Sequence, residues 1–244
     1  MINDDARTQT QGDAALRKLL IILMLSAIAM AYIQPLPKGS VRKVYNKLSL
    51  LENMNIKLIP QNQLLMADEF QERILNPKNK KRYRTFADIK KCYLKNPSLF
   101  VGAFDKTQII GIVFGYVKRK NVLLGEMVID KNYLGLGLGS TLLDFFEKQV
   151  VKLRKNKIVL GSRENAEGFH LKRGYNPILF LQIRHSDVPN NYELLTKHKI
   201  QKETNYSDAK RLFIKVKHPS DILKRKLIKI FCAYNGIYLF EKTL

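Results

Sequence analysis

The chain contains no tryptophan, only two cysteines, and half as many acidic as basic side chains. Each shortage excludes something. Cys92 and Cys232, both in stretches that read as helical, form neither a disulfide framework nor a zinc knuckle; a reducing compartment suits them, and no metal is expected. The deficit of acid is the larger signal: 43 Lys+Arg against 21 Asp+Glu leave a formal net charge of +22. Such a field favours anionic partners such as nucleic acid, anionic lipid or a phosphorylated cofactor. The excess is mostly lysine, spread among many Asn and Ile, so genome composition is the first reading and a polyanionic partner the second.

Long apolar runs are also scarce. The exception is Leu19 to Ile33, "LLIILMLSAIAMAYI", fifteen residues broken only by Ser26. About 20 residues normally span a bilayer, so the run is short for that role unless its flanks snorkel. "SAIAMA" also resembles a signal-peptidase site after a short apolar stretch. A single membrane anchor is the preferred reading, with a cleaved signal and a buried core helix as alternatives. Arg7, Arg17 and Lys18 precede the run and Lys38, Arg42, Lys43 and Lys47 follow it; the slight downstream excess favours a cytoplasmic main body.

What the chain does have is a globular composition, 45% hydrophobic and 26% charged over 244 residues, enough to bury a real core. Residues 34–50 carry two prolines and a Gly-Ser and read as a linker. Regular alternation follows. "NIKLIPQ" (55–61) reads as a strand, and 64–75 and 85–96 as helices, the second capped by Thr85. "LFVGAF", "QIIGIVFGYVK" and "VLLGEMVI" are strands joined by short polar turns, hence antiparallel hairpins. A glycine run, the helix "STLLDFFEKQVVKLRK", the strand "KIVLGS", the short helix "NAEGFHLKRG" and the strand "YNPILFLQIR" complete a β-α-α-β-β-β-α-β-α-β order. The tail shows "RLFIKVK" as a strand, 219–234 as an amphipathic helix ending at Asn235-Gly236, and "IYLFEKT" as a strand. The expected domains are 1–50 (apolar segment and linker), a main domain over 51–187, and a small basic β-α-β appendage over 188–244 that packs on the main sheet.

The stretch "YLGLGLGSTLLDFF" (133–146) places Gly135, Gly137 and Gly139 where a strand hands over to a helix. Glycine is costly in either element, so a specific need is implied. Alternating glycines before a helix N-terminus make a loop of outward N–H groups suited to phosphate. A Walker loop is excluded, because Gly139 is followed by Ser140-Thr141 without lysine; a G-x-G-x-x-G run fails at Leu142.

These residues resemble the GNAT superfamily of N-acetyltransferases. "MVIDKNYLGLGLGSTLL" (127–143) is similar to its acyl-CoA-binding motif, Arg/Gln-x-x-Gly-x-Gly/Ala, with Gly137 and Gly139 on the glycine positions. "NAEGFHLKRGY" (165–175) resembles the later segment Ala-x-x-Phe-Tyr-x-x-x-Gly-Phe through Ala166, Phe169, Gly174 and Tyr175. The element order agrees over about residues 55–185. The resemblance implies a mixed α/β fold, mainly antiparallel, and acetyl transfer from acetyl-CoA to an amine within a ternary complex. It implies cofactor contacts at Met127, Val128 and Ile129, at Leu134, Gly135, Leu136, Gly137, Leu138, Gly139 and Ser140, and at Asn165, with the Met127 N–H meeting the oxyanion.

Two positions depart from the pattern. Leu134 stands where Arg or Gln is usual, which weakens the grip on a pyrophosphate, and His170 stands where a tyrosine usually protonates the departing thiolate. Histidine, with an ordinary pKa of about 6.5, can also donate a proton. Glu126 is the only charged residue in an otherwise apolar strand, so it is either a desolvated base or a salt-bridged strand residue. Arg163, Lys172 and Arg173 are candidates for the cofactor phosphates, with solvated surface charge the better reading of each. The competing function is a basic, non-catalytic protein on a degenerate scaffold of this kind, holding nucleic acid or anionic lipid.

Overall fold

The computed structural model describes residues 54–78, 82, 84–162 and 164–244. The apolar run at 19–33, the linker and Arg163 lie outside the described residues. Residues 51–244 form one compact unit. Its strands are β1 (Met54–Leu58), β2 (Phe100–Asp105), β3 (Gln108–Lys118), β4 (Asn121–Ile129), β5 (Lys157–Gly161), β6 (Asn176–Arg184), β7 (Ile200–Tyr206), β8 (Ala209–Lys215) and β9 (Asn235–Thr243). Its helices are α1 (Leu64–Leu75), α2 (Phe86–Lys95), α3 (Leu138–Lys152), α4 (Glu167–Lys172) and α5 (Asp221–Ile230).

All nine strands belong to one sheet, in the order β1-β2-β3-β4-β5-β9-β6-β8-β7. The β2-β3-β4 hairpins form as their spacing predicts, with Lys106 and Arg119 taking left-handed backbone at the two tight turns. Among the described strands only β4 and β5 run parallel, because α3 crosses over between them. Thr85 caps α2 in a full capping box with Asp88, so the helix starts where the sequence says it must.

Helices α3, α4 and α5 share one face of the sheet. A Cβ at Gly115 would sit 2.6 Å from the Phe146 ring of α3, and one at Gly236 would meet Ile228 of α5 at 2.8 Å. His170 of α4 packs on Phe240, 5.7 Å between ring centres. The opposite face is covered by α1 and α2 only over β2–β4, where Tyr93, Phe100 and Tyr116 stack edge to face.

The C-terminal tail is not an appendage. Strand β9 is inserted between β5 and β6, pairing antiparallel with both, and β8 and β7 extend the sheet beyond β6. Insertion satisfies two rows of backbone groups at once, which leaves no boundary near residue 187. The polar strand β7 has no apolar alternation and was not anticipated. Helix α5 stops at Ile230, earlier than expected. Cys232 takes a left-handed backbone (φ 51) just past its end, outside the helix, and Asn235-Gly236 already belong to β9. Both cysteines are free thiols.

Candidate active site

Strands β4 and β5 pair only at Val122–Leu124 with Ile158–Leu160. The register against β3 then jumps, Gly115 facing Leu124 and Phe114 facing Glu126, so Gly125 is an extra residue that bends β4 away from β5. Beyond the bulge, the Asp130 N–H donates to the Ile110 carbonyl at 2.8 Å. By ladder alternation Val128 also faces β3, and the amides of Met127 and Ile129 point to the side where β5 no longer pairs. This edge of β4 is thus without a strand partner among the described residues. Val128 is buried, while Met127 and Ile129 are half-buried against the core.

The strand ends at Asp130, whose side chain accepts from the Asn132 N–H at 2.9 Å and starts a single 3-10 turn over Lys131–Tyr133. Leu134 follows, 61% exposed, with nothing polar to offer an anion. Gly135 (φ 73) and Gly137 (φ 78) have left-handed backbone, a conformation that costs other residues about 1–2 kcal/mol. Gly137 is the N-cap of α3 and has no side-chain cap; a Cβ there would meet nothing within 4 Å. The first helical bond runs from the Thr141 N–H to the Gly137 carbonyl at 3.1 Å. None of the N–H groups of residues 135–140 donates to a described residue. They lie at the positive end of a fifteen-residue helix that has no acidic residue in its first turn. Gly139 ties the loop to its surroundings: its Cβ position lies 3.5 Å from Met127 and 3.7 Å from Phe169. The glycine loop, the free edge of β4 and helix α4 thus converge.

Glu126 sits just past the bulge. Its Oε1 accepts from Arg84 Nη1 at 2.7 Å and its Oε2 from the Tyr116 hydroxyl at 2.6 Å, so the salt-bridged reading of this residue holds in the structure. The Arg84 guanidinium also lies over the Tyr116 ring at 4.1 Å. Burial raises the Glu126 carboxyl above its ordinary pKa, while Tyr116 and Arg84 pull it back and the charge of Asp68 adds to the rise. Burial and the same carboxylate push the Tyr116 hydroxyl far up, so it remains a donor. Asp68, on α1, accepts from Arg82 at 2.6 Å and from Gln71 at 3.0 Å; Arg82 also reaches Glu72 at 3.0 Å. Arg84 and Tyr116 were missed from the sequence because the first lay in a polar loop and the second in a strand of ordinary composition.

The structure corrects the expectation for His170. The residue is 6% exposed, enclosed by the rings of Phe169, Tyr175 and Phe240, and its Nδ1 has no hydrogen-bond partner. Burial lowers its pKa to about 4, so the imidazolium needed for acid catalysis is scarce at neutral pH. An unfolded histidine binds its proton near 6.5. Stability supplied by neutral His170 is therefore complete above that value and lost as pH falls through about 4. His170→Phe is expected to flatten the acid side of a melting-temperature profile between those values and to leave turnover within a few-fold; a large loss of turnover at unchanged stability would restore the catalytic role.

Arg173 is committed to an ion pair with Asp144 of α3, and Lys172 is exposed. Asn165 is exposed in the turn before α4 and borders a cavity of about 460 Å³ with Ser162, Glu167, Lys224 and Tyr238. Among the described residues no group of three His, Cys, Asp or Glu is placed to hold a metal ion. No described helix is long and apolar enough to cross a membrane.

Residues 65–184 match the family model of the acetyltransferase (GNAT) domain. The segment that carries the glycine loop and the splayed strands is thus similar to a GNAT acetyltransferase domain. Solved structures to which the chain is similar include a GNAT-family acetyltransferase from Staphylococcus aureus Mu50, 21% identical, covering 66% of this chain and 98% of its own, at a TM-score of 0.44. Another is the PaiA N-acetyltransferase from Thermoplasma acidophilum in complex with coenzyme A, at 16% identity, 67% and 99% coverage and a TM-score of 0.43. Ard1 from Thermoplasma volcanium is similar at 17% identity, 67% and 99% coverage and a TM-score of 0.43. No curated protein sequence matches the chain.

Proposed function

We propose that the domain transfers the acetyl group of acetyl-CoA directly to a primary amine held in a ternary complex. The observation that carries this reading is the pairing of the acceptor-free amides of residues 135–140 with the β4 edge left free where β5 stops. Those backbone donors would hold the diphosphate; with Leu134 supplying no side-chain donor, they do so unaided. The free edge at Met127–Ile129 would pair with the amide groups of the pantetheine arm as an added strand does. The Met127 N–H, directed into the same gap, is the donor placed to meet charge developing on the thioester oxygen. Glu126, with a raised pKa and both oxygens already accepting hydrogen bonds, would take the amine proton through a water rather than by direct contact.

Thermal unfolding with and without acetyl-CoA tests the reading. A ligand at 100 times its dissociation constant stabilises the folded state by about 2.7 kcal/mol. For a chain of this size that corresponds to a rise of roughly 5–11 °C in melting temperature. No shift at millimolar acetyl-CoA counts against the site. A panel of polyamines, amino acids, aminoglycosides and peptide N-termini, read by thiol release, then identifies the acceptor.

A further inference from the structure

The sheet face that α1 and α2 cover over β2–β4 continues across β6, β8 and β7 with no described helix over it. Side chains alternate there between the two faces, although Ile178 and Ala209 of the outer face are also buried. Leu179, Leu181, Ile183, Leu212 and Ile214 point to the helix side and are fully buried. The intervening residues make a surface of rings and cations. Phe180 pairs with Phe213 across β6 and β8, ring centres 5.0 Å apart. The Arg211 guanidinium lies 3.8 Å from the Tyr206 ring centre and 5.9 Å from that of Phe180, and Lys202 Nζ lies 5.5 Å from Phe213. Tyr206 is 62% exposed. Gln182 and Asn235, bonded to each other at 2.9 Å, add amide groups to the same face. Neither Lys202 nor Arg211 has a carboxylate partner among the described residues, whereas Glu241, on that face, is paired with Lys157.

We propose that this face of β6, β8 and β7 binds single-stranded nucleic acid. Rings interleaved with cations on a sheet face suit a single strand: bases stack on an exposed ring such as Tyr206, and the cations meet the backbone phosphates. A duplex hides its base faces, so it can use the cations but not Phe180, Phe213 and Tyr206. An anionic membrane is the competing occupant, because Ile237 opposite Phe180 is exposed on the same face, and the vesicle arm of the test below separates the two. The near strand of the platform, β6, is three strand spacings or about 14 Å from β4, and the inference stands independently of the proposed chemistry.

The test is fluorescence anisotropy of the full chain with labelled oligo(dT) and oligo(U) of about 15 nucleotides, a matching duplex, and phosphatidylserine/phosphatidylcholine vesicles as comparison. Binding to the single strands is expected to weaken with salt at a log–log slope of about −2 to −3, from three or four neutralised phosphates. Tyr206→Ala is expected to weaken it about tenfold through lost stacking, and Lys202→Ala with Arg211→Ala to reduce the slope by about 1.4. Melting temperatures of the variants, close to that of the parent because the altered side chains are not in the buried core, confirm that folding is not the cause. Equal affinity for the duplex, unchanged binding in the variants, or binding to vesicles alone overturns the proposal.

Discussion

Gly137→Glu is expected to abolish the acetyl-CoA-dependent rise in melting temperature and, with it, acetyl transfer. Two effects combine. The position has φ 78, so any side chain there is strained by about 1–2 kcal/mol, a cost a folded domain of this size tolerates. Because a Cβ at Gly137 would meet nothing within 4 Å, the new carboxylate is free to occupy the space in front of the helix N-terminus. There it accepts from the amides that would otherwise hold the diphosphate, and its charge repels any anion that approaches. Gly137→Ala separates the two effects. It carries the same backbone strain without the charge, so it is expected to lose stability by a similar amount while keeping most of its cofactor response. Calorimetric titration with CoA checks both variants. Wild-type affinity in Gly137→Glu would mean that the diphosphate does not sit at this loop.

How much of this was legible in the sequence depends on the period of the hydrophobic pattern. Helix α1 was predicted over 64–75 and forms over Leu64–Leu75; β3 was predicted over 108–118 and forms over Gln108–Lys118. Helix α1 has one apolar face, β3 is buried on both, and each ends at a sharp polar boundary. The turns at Gly135 and Gly137 were equally readable, since both take left-handed backbone and no side-chain chemistry obscures the need. Strand β7 was invisible because an edge strand with Lys202, Glu203 and Asn205 in it buries little and leaves no alternation to detect. The insertion of β9 between β5 and β6 was out of reach for a different reason. Strand order is a tertiary fact, and a buried-faced strand such as "IYLFEKT" reads the same in the centre of a sheet as in an appendage.

The candidate site divides along the same line. Backbone features were visible, because glycine spacing and an apolar strand announce them. Side-chain partners were not. His170 matched a motif position but lies in an aromatic enclosure formed partly by Phe240, a residue seventy positions away on the inserted strand. Glu126 stood out in sequence as a lone charge. What sets its chemistry, Arg84 from a loop before α2 and Tyr116 from the neighbouring strand, appears only once the bulge at Gly125 turns the carboxylate toward them.

Glu126→Gln gives the second large effect. If Glu126 removes the amine proton through water, turnover should fall by about 10²–10⁴-fold, with the Michaelis constant for acetyl-CoA little changed. The pH dependence distinguishes a base from a structural pair. The carboxyl pKa is raised mainly by burial, so in the parent enzyme the acid limb of turnover should lie above the ordinary carboxylate value and rise as Glu126 ionises. In Glu126→Gln that limb should disappear. The same shift fixes the sign for stability. A carboxyl whose folded pKa is raised contributes most when protonated, and the contribution is lost as pH increases through the folded value. Glu126→Gln removes that pH-dependent loss, but it also leaves Arg84, whose side chain is 21% exposed, without its ion-pair partner at Oε1. Arg84→Met provides the complementary reading: without the guanidinium the Glu126 pKa should climb further, and the acid limb should move to higher pH with it. If Arg84→Met leaves the limb where it was, or Glu126→Gln keeps a parent-like profile, the proton leaves the amine by a route that does not pass through this carboxylate.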